Sequence, residues 1–161
     1  EKLGYDFQLL KAAKETTQPQ KAFLLGKIKD ALWILKDKTI GVLGLSFKPN
    51  TDDIRNAPSI DIIRSLQAEG AKIRAYDPSA MQKAKEILAQ VKFCSDAYDA
   101  CQGCDCLLVL TEWDEFKELD FVKIKKLLKR PLIIDGRNIY EPTRLEKIGF
   151  IYVGIGRRAG G

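Results

Sequence analysis

From Lys38 onward the chain alternates short apolar runs with amphipathic segments, and this order restricts the possible folds more than any other feature. Six runs have the length and composition of β-strands, and they cover residues 39–44, 72–76, 91–93, 106–110, 132–134 and 150–153. The first and fourth runs are apolar throughout, as expected for strands that are covered on both faces. The pattern predicts an α/β fold with a doubly wound, mostly parallel, six-stranded Rossmann-like sheet.

Helical segments separate the predicted strands. They cover residues 59–69, 79–89, 95–101, 121–128 and 143–147. Gly70 and Gly149 follow the first and the last of them, where glycine commonly ends a helix. Segment 121–128 opens the most basic stretch of the chain, but its charges alternate with apolar residues at helical spacing. We interpret them as the solvated face of an amphipathic helix rather than as a phosphate-binding patch.

The first 37 residues differ from the rest, and we predict a helical linker over residues 1–37 before an α/β domain over 38–161. Leu25, Ile28, Leu32 and Leu35 form a narrow apolar seam along a predicted helix over 21–36. Two interpretations of this seam are open: it packs on the sheet of its own chain, or it joins the domain to another domain or subunit. A further helix is predicted over 1–16, with Pro19 marking the boundary.

The composition limits the available chemistry. The chain contains no histidine, which excludes a Ser-His-Asp triad, a Cys-His pair and a histidine-ligated metal site. Lysine and arginine number 27 against 22 aspartates and glutamates, and this modest excess of +5, mixed in sign along the chain, does not indicate a nucleic-acid partner. No apolar run approaches the roughly 20 residues of a membrane span, and no signal peptide stands at the start. We therefore expect a cytoplasmic protein without a membrane partner.

Four cysteines lie close together in the sequence: Cys94, Cys101, Cys104 and Cys106. Cys101 and Cys104 form a C-x-x-C pair, but a second pair and any histidine are missing. Cys106 also begins an apolar run that we assign to a buried strand. We interpret the four as free structural thiols rather than as a zinc or redox site, and no metal site is predicted.

The segment after the first strand is where a dinucleotide fingerprint is expected. It reads GLSFKP from Gly44 to Pro49, so only the first glycine of G-x-G-x-x-G is present. Ser46 and Pro49 occupy the other two glycine positions, and their side chains obstruct a close approach of the backbone to a pyrophosphate. A standard NAD cradle is therefore not predicted in this chain.

Residues 44–57 instead form a loop about twice the usual length of such a connection, as is typical of functional loops. The loop carries Phe47, Lys48 and Arg55, and its two cations suit a diphosphate. The alternative, in which both are solvated loop charges, stays open. Three further polar residues are interpreted as turn and capping groups that hold the loop and orient Arg55: Thr51, Asp52 and Asp53.

Two other strand ends meet the same edge of the predicted sheet. Asp77 follows the second strand, where it either contacts a ribose hydroxyl or caps the next helix, and both interpretations stay open. Arg137 follows the fifth strand, and Gly136 before it permits a sharp turn towards the cleft. Arg137 is therefore a second candidate anion clamp.

Four motifs occur in a characteristic order: GLSFKPNTDDIRNAPS (44–59), YDP (76–78), TEWDEF (111–116) and DGRN (135–138). Together they resemble the C-terminal UDP-binding domain of the UDP-glucose/GDP-mannose dehydrogenase family, over nearly the whole chain. The forms of the first and last motifs favour UDP-glucose over GDP-mannose or UDP-N-acetylmannosamine as the substrate. Members oxidise the sugar C6 alcohol to a carboxylate with two NAD, through a thioester on a catalytic cysteine.

The resemblance implies specific roles for several residues. Phe47 and Lys48 match positions that hold the nucleotide sugar, and Arg137 matches one that grips the same substrate. Arg55 matches a position that reaches NAD, the cofactor held by a separate NAD-binding domain. Glu112 and Trp113 match a signature to which we assign a structural role.

The family's NAD-binding domain and its cysteine segment have no counterpart in the sequence. We therefore expect no catalytic residue in this chain, which is inactive alone, with the NAD-binding domain of the same enzyme as partner and a homodimer formed through the linker helix. One alternative is a stand-alone UDP-sugar-binding or dimerisation module without enzymatic role. Another is the equivalent domain of a GDP-mannose or UDP-N-acetylmannosamine dehydrogenase.

Overall fold

The computed structural model describes residues 8–156, with side chains from Pro19 onward, and this part of the chain contains one six-stranded sheet. The strands are β1 (Thr39–Leu43), β2 (Lys72–Tyr76), β3 (Val91–Phe93), β4 (Cys106–Val109), β5 (Leu132–Asp135) and β6 (Ile151–Gly154). Their order is β3-β2-β1-β4-β5-β6, and every neighbouring pair is parallel. The predicted doubly wound Rossmann-like sheet is confirmed, and it is wholly rather than mostly parallel.

Helices connect the strands on both faces of the sheet. They are α1 (Gln8–Leu32), α2 (Pro58–Ala68), α3 (Met81–Ile87), α4 (Ala97–Cys101), α5 (Asp114–Lys117), α6 (Phe121–Leu127) and α7 (Pro142–Ile148). The sequence did not predict α5, because four residues are too few to show a helical period. None of these helices within residues 8–156 combines the length and apolar character that crossing a bilayer requires.

Helix α1 corrects the prediction for the start of the chain. A single helix runs through Pro19, where two helices with a boundary were expected. Proline removes one backbone hydrogen bond from a helix interior but does not oblige the helix to end. The helix stops at Leu32 rather than at Lys36, because Trp33 adopts a left-handed backbone with φ of 63°. Residues 1–7 of the predicted first helix lie outside the described residues.

The apolar seam of α1 packs on the sheet of its own chain. Leu24, Ile28, Leu32 and Leu35 are buried in one core cluster with residues of β1 and α2. Leu25, predicted as part of the seam, is only partly buried against this cluster, and Leu24 takes its place. Of the two interpretations of the seam, packing within the chain is therefore the observed one.

Two apolar cores lie on opposite faces of the sheet. The first joins α1, α2 and α3 to the sheet around Ile28 and Ile63, and the second joins α4, α6 and α7 to it around Phe116 and Ile124. Burial on both faces explains why β4 and β5 are apolar at every position but the last of β5, which is Asp135. The layers leave the carboxyl ends of the strands free to build a site.

All four cysteines are free thiols buried in these cores. Desolvation raises the pKa of Cys104 to about 12 and raises the pKa values of the other three thiols, Cys94, Cys101 and Cys106. The reactive thiolate form is therefore scarce at neutral pH. Within residues 8–156 no group of three or more carboxylate or cysteine side chains is placed to hold a metal ion.

Candidate functional site

The candidate site lies at the carboxyl ends of β1, β4 and β5. Strand β1 pairs with β2 on one side and β4 on the other, so successive connections leave in opposite directions at this point. Ligands of doubly wound sheets bind in the crevice that such a switch point opens. Residues 44–57, 110–113 and 136–140 border it, and they contain the site residues predicted from the sequence.

Gly44 begins the long loop and is required there by close packing. Its φ is 95°, and a Cβ added to it would lie 2.5 Å from the Cβ of Thr111, which follows β4. The hydroxyl of Thr111 donates to the backbone carbonyl of Ser46 at 2.7 Å. The loop after β1 is thus joined tightly to the segment after β4, and this glycine makes room for protein rather than for a phosphate.

Asp77, at the end of β2, is 1% exposed and both its carboxylate oxygens are engaged. The backbone N–H groups that donate to it, at 2.7–3.0 Å, belong to Leu45, Ser46, Ser79 and Ala80. The carboxylate holds the start of the β1 loop and the turn before α3 together. This geometry supports the capping interpretation, because a ribose hydroxyl cannot reach a buried and fully engaged carboxylate.

Trp113 completes this buried polar network from the side of β4. Its indole N–H donates to Ser46 Oγ at 3.1 Å and to Asp77 Oδ2 at 3.2 Å. Ser46 Oγ donates in turn to Asp77 Oδ2 at 3.1 Å. Trp113 therefore packs beneath the β1 loop and fixes it, and the sequence offered no direct signal for this three-way contact.

Phe47 and Lys48 form the exposed tip of the loop. The backbone N–H of Phe47 donates to the carbonyl of Asp53 at 2.8 Å, which closes the loop on itself, while the Phe47 side chain stays half exposed. The exposed Lys48 ammonium makes no hydrogen bond or ion pair with any residue in the described part of the chain. An aromatic face and an unpaired cation are thus available side by side.

Arg55 is held by Asp53 in a two-point ion pair. Its Nε lies 3.0 Å from Oδ1 and its Nη2 lies 2.8 Å from Oδ2, and these bonds lower the pKa of Asp53 well below its usual range. Thr51 Oγ1 accepts from the Asp53 N–H at 3.2 Å. The prediction that Thr51 and Asp53 hold the loop and orient Arg55 is confirmed, whereas Asp52 pairs with Lys83 of α3 at 2.7 Å.

Arg137 stands on a turn that Asp135 fixes at the end of β5. The buried Asp135 carboxylate accepts from the Arg137 N–H, the Tyr140 N–H and the Tyr152 hydroxyl, each at 3.0 Å. A Cβ on Gly136 would lie 2.8 Å from a backbone carbonyl of β4, so this turn also requires glycine. The backbone beneath the arginine is therefore firmly placed.

The guanidinium of Arg137 pairs with Glu112, which follows β4. Arg137 Nε lies 2.5 Å from Glu112 Oε2, and Nη2 lies 2.8 Å from Oε1. The hydrogen bonds from Arg137 lower the pKa of Glu112, so its carboxylate stays ionised at neutral pH. Reasoning from sequence missed this pair, because the two residues are 25 positions apart and meet only through the adjacency of β4 and β5.

An open cleft of about 410 Å³ surrounds the Glu112–Arg137 pair. Its lining also includes Gln20 of α1, Lys117 of α5, Asn138 and Ile155. The structure does not bring the predicted residues into one pocket: Phe47, Lys48 and Arg55 lie on the loop after β1, outside this lining. Lys117 adds a second cation to the cleft, and the sequence gave no sign of its place there.

The strand order and the long loop after β1 define a Rossmann-like domain, and the cations at the strand ends mark a candidate ligand site at its switch point. The family model for the UDP-binding domain of the UDP-glucose/GDP-mannose dehydrogenase family matches residues 41–142. The chain belongs to this family, in agreement with the resemblance of its motifs.

Two relatives illustrate the similarity. The chain is 46% identical to UDP-glucose 6-dehydrogenase TuaD of Bacillus subtilis, covering 97% of this chain and 34% of the relative. It is 39% identical to a UDP-glucose 6-dehydrogenase of Pseudomonas aeruginosa, covering 99% of this chain and 37% of the relative. The chain therefore spans about a third of the length of the curated relatives that it matches.

Solved structures give the same result for the fold. A UDP-D-ManNAc dehydrogenase of Pyrococcus horikoshii superposes with a TM-score of 0.77 at 30% identity, over 98% of this chain and 36% of that one. A UDP-glucose dehydrogenase of Pyrobaculum islandicum superposes with a TM-score of 0.76 at 27% identity, over 94% of this chain and 33% of that one.

Proposed function

We propose that this chain is the nucleotide-sugar-binding domain of an NAD-dependent UDP-glucose 6-dehydrogenase and binds UDP-glucose at the carboxyl ends of β1, β4 and β5. The observation that carries the proposal is the pair of anion-binding groups at this edge, Lys48 after β1 and Arg137 after β5, in a chain of this family. The identities of 46% and 39% to UDP-glucose 6-dehydrogenases support UDP-glucose as the substrate.

The proposed substrate-binding residues offer different chemical groups to the ligand. Lys48 supplies a compact, unpaired positive charge and Arg137 supplies a planar fork, and each of these groups suits a phosphate. Phe47 offers a half-exposed ring on which an apolar or ring-shaped part of the ligand packs. The strand β4 lies between the two cations, so a ligand that uses both spans the switch point.

NAD does not fit the loop of this chain. In a dinucleotide cradle the backbone N–H groups after the first strand face the pyrophosphate, but here those of Leu45 and Ser46 are bound to Asp77. The space beside Gly44 is also filled by Thr111. We propose that the NAD-binding domain of the same enzyme holds NAD, and that the exposed Arg55, oriented by Asp53, contacts it there.

The oxidation of the C6 alcohol to a carboxylate belongs to the whole enzyme in this proposal. Buried thiols with raised pKa values are unsuited to be the family's nucleophile, so no cysteine of this chain is assigned to catalysis. This chain alone binds substrate and is inactive. The cytoplasmic location expected from the sequence is kept as part of the same proposal.

A homodimer through α1 remains part of the proposal. The helix and the two residues that follow it leave three large apolar side chains exposed: Phe23 at 50%, Trp33 at 89% and Ile34 at 65%. Phe23 lies within the helix and the other two directly follow its end, and exposed apolar side chains of this size favour a protein contact. The seam of α1 is already used within the chain, so the contact would use its outer side.

A UDP-N-acetylmannosamine or GDP-mannose dehydrogenase domain is the second candidate. The TM-score to the Pyrococcus horikoshii UDP-D-ManNAc dehydrogenase, 0.77, is as high as the 0.76 to the Pyrobaculum islandicum UDP-glucose dehydrogenase. Calorimetric titration of the chain with UDP, UDP-glucose, UDP-N-acetylmannosamine, GDP-mannose and NAD in parallel separates the candidates. We expect binding of UDP and UDP-glucose and none of NAD. Preferential binding of UDP-N-acetylmannosamine or GDP-mannose, or binding of no nucleotide, would contradict the proposal. A reading frame that continues upstream into a G-x-G-x-x-G strand and helix would exclude a stand-alone module.

A further inference from the structure

The ion pair between Glu112 and Arg137 uses only one of the two donor edges of the guanidinium. Glu112 accepts from Nε and Nη2 of Arg137, which is the side edge of the group. A guanidinium carries five N–H donors, so both N–H groups of Nη1 and the second one of Nη2 are left over. Nη1 makes no hydrogen bond or ion pair with any residue of the described part of the chain. The end edge is therefore available for a second two-point acceptor.

Both the backbone and the guanidinium of Arg137 are held in place by hydrogen bonds. Asp135 holds the backbone N–H of Arg137 at 3.0 Å, and Glu112 holds the guanidinium. Glu112 is itself adjacent to Thr111, whose hydroxyl is anchored to the β1 loop at 2.7 Å. A long side chain that is already ordered loses less conformational freedom when a ligand binds to it.

We propose that Glu112 is a positioning residue for the anion-binding arginine, holding Arg137 by its side edge so that the end edge receives the diphosphate of the nucleotide. This role rests on the proposed function of Arg137 in UDP binding. Glu112 makes no contact with the ligand. Lys117 lines the same cleft, where its ammonium pairs with the exposed carboxylate of Asp114 at 2.7 Å.

A competing role for Glu112 predicts the opposite change in ligand affinity when its charge is removed. If its carboxylate occupied the donors that the phosphate needs, removing its charge would free Arg137 and strengthen binding. The geometry favours positioning, because the ligand does not have to displace Glu112 to reach Nη1. The sign of the change in affinity therefore distinguishes the two roles.

The test compares Glu112→Gln with a matched control, Glu69→Gln, which removes a carboxylate paired with Lys29 at 2.5 Å in the connection from α2 to β2. Calorimetry measures the affinities for UDP and for pyrophosphate, and thermal melting checks that both variants fold. We expect Glu112→Gln to bind both ligands about fivefold more weakly, and Glu69→Gln to bind as the parent chain does. Glu112→Asp, which keeps the charge with a shorter reach, should recover part of the loss.

A double-mutant cycle shows whether Glu112 acts through Arg137. We expect Glu112→Gln to have no further effect on affinity in the Arg137→Ala background. The Nε–H signal of Arg137 in ¹⁵N NMR spectra should move in Glu112→Gln, which verifies that the substitution breaks the ion pair.

Unchanged or tighter binding by Glu112→Gln, or an equal loss in both backgrounds, would overturn the positioning role while the proposed function stands. A parent chain that binds pyrophosphate but not UDP would contradict the proposed function alone. A parent chain that binds neither ligand would contradict both.

Discussion

The indole N–H of Trp113 donates to the buried carboxylate of Asp77 at 3.2 Å and so connects the segment after β4 to the end of β2, across β1. Asp77 also accepts four backbone N–H groups, which makes it the centre of the polar network beneath the site. Removing a buried acceptor leaves its donors without partners. The loop that carries Phe47 and Lys48 therefore depends on Asp77, a buried residue outside its exposed tip.

We predict that Asp77→Ala lowers the free energy of unfolding by about 3 kcal/mol, because several buried donors lose their acceptor at once. Urea denaturation followed by circular dichroism measures the change. Asp114→Asn is the control, since this exposed carboxylate pairs with the exposed Lys117 at 2.7 Å and its loss should change stability by less than about 0.5 kcal/mol. A loss below about 1 kcal/mol in Asp77→Ala would show that the network contributes little.

Two glycines allow a matched comparison of one substitution. Gly44→Ala places a Cβ 2.5 Å from Thr111 on a backbone with φ of 95°, and we expect it to destabilise the chain by about 3 kcal/mol. Gly26→Ala, inside α1, meets no atom within 4 Å and should stabilise the chain by up to about 1 kcal/mol, since alanine favours the helix. Thermal or urea unfolding of both variants measures the two changes in stability. A gain of stability in Gly44→Ala as well would contradict the conclusion that close packing requires glycine at position 44.

The contacts that sequence reasoning predicted are the local ones. Asp53 and Arg55 are two residues apart, so a turn alone brings them together, and their pairing could be predicted. Glu112 and Arg137 meet only because β4 and β5 are neighbours in the sheet, and the amino-acid pattern does not give the pairing of side chains across strands. The six strands were predictable because their short apolar runs alternate with amphipathic segments and are bounded by turn residues.

The start of the chain shows a different limit of prediction. Pro19 is a reliable break only where the surrounding residues do not continue the helix, and here they do. Whether the α1 seam covers its own sheet or a partner's depends on tertiary packing, which the local amino-acid pattern does not reveal. The place of Lys117 in the cleft depends on α5, which is a single turn.

We predict that Lys48→Ala weakens the binding of UDP about tenfold, since a charge-assisted contact to the diphosphate is lost. Isothermal titration calorimetry at fixed ionic strength measures the affinity, because the contact is screened by salt. Lys72→Ala is the control: Lys72 begins β2, at the opposite edge of the sheet, and pairs with Asp37 at 3.4 Å. Equal affinities of Lys48→Ala and the parent chain would remove Lys48 from the site.

We predict that the buried thiols make the chain less stable in alkali. Burial raises the pKa of Cys104 to about 12 from an ordinary value of 9.0, and the other thiols shift in the same direction. Between these values the unfolded chain loses protons that the folded chain retains, so stability is complete below pH 9 and falls as the pH rises above it. Each such thiol contributes a slope of up to about 1.4 kcal/mol per pH unit.

Urea melts between about pH 7 and about pH 10.5 measure this slope. Cys106→Val keeps an apolar side chain of similar size at a fully buried position. We expect the free energy of unfolding to fall less steeply above pH 9 in this variant, by the contribution of one thiol. A slope in Cys106→Val that equals the parent's would show that the retained proton is not on Cys106.

The exposed apolar side chains in α1 and directly after it predict self-association of the chain. Trp33 is 89% exposed and Phe23 is 50% exposed, and a contact that buries them removes apolar surface from water. Sedimentation velocity over a range of concentrations should show a dimer that Trp33→Lys weakens about tenfold or more, since burying a lysine head group opposes association. Val122→Lys, at a 54% exposed position on α6, should associate as the parent chain does. A parent chain that stays monomeric at high concentration would contradict the predicted self-association. A dimer that only Val122→Lys disrupts would place the contact on α6 instead.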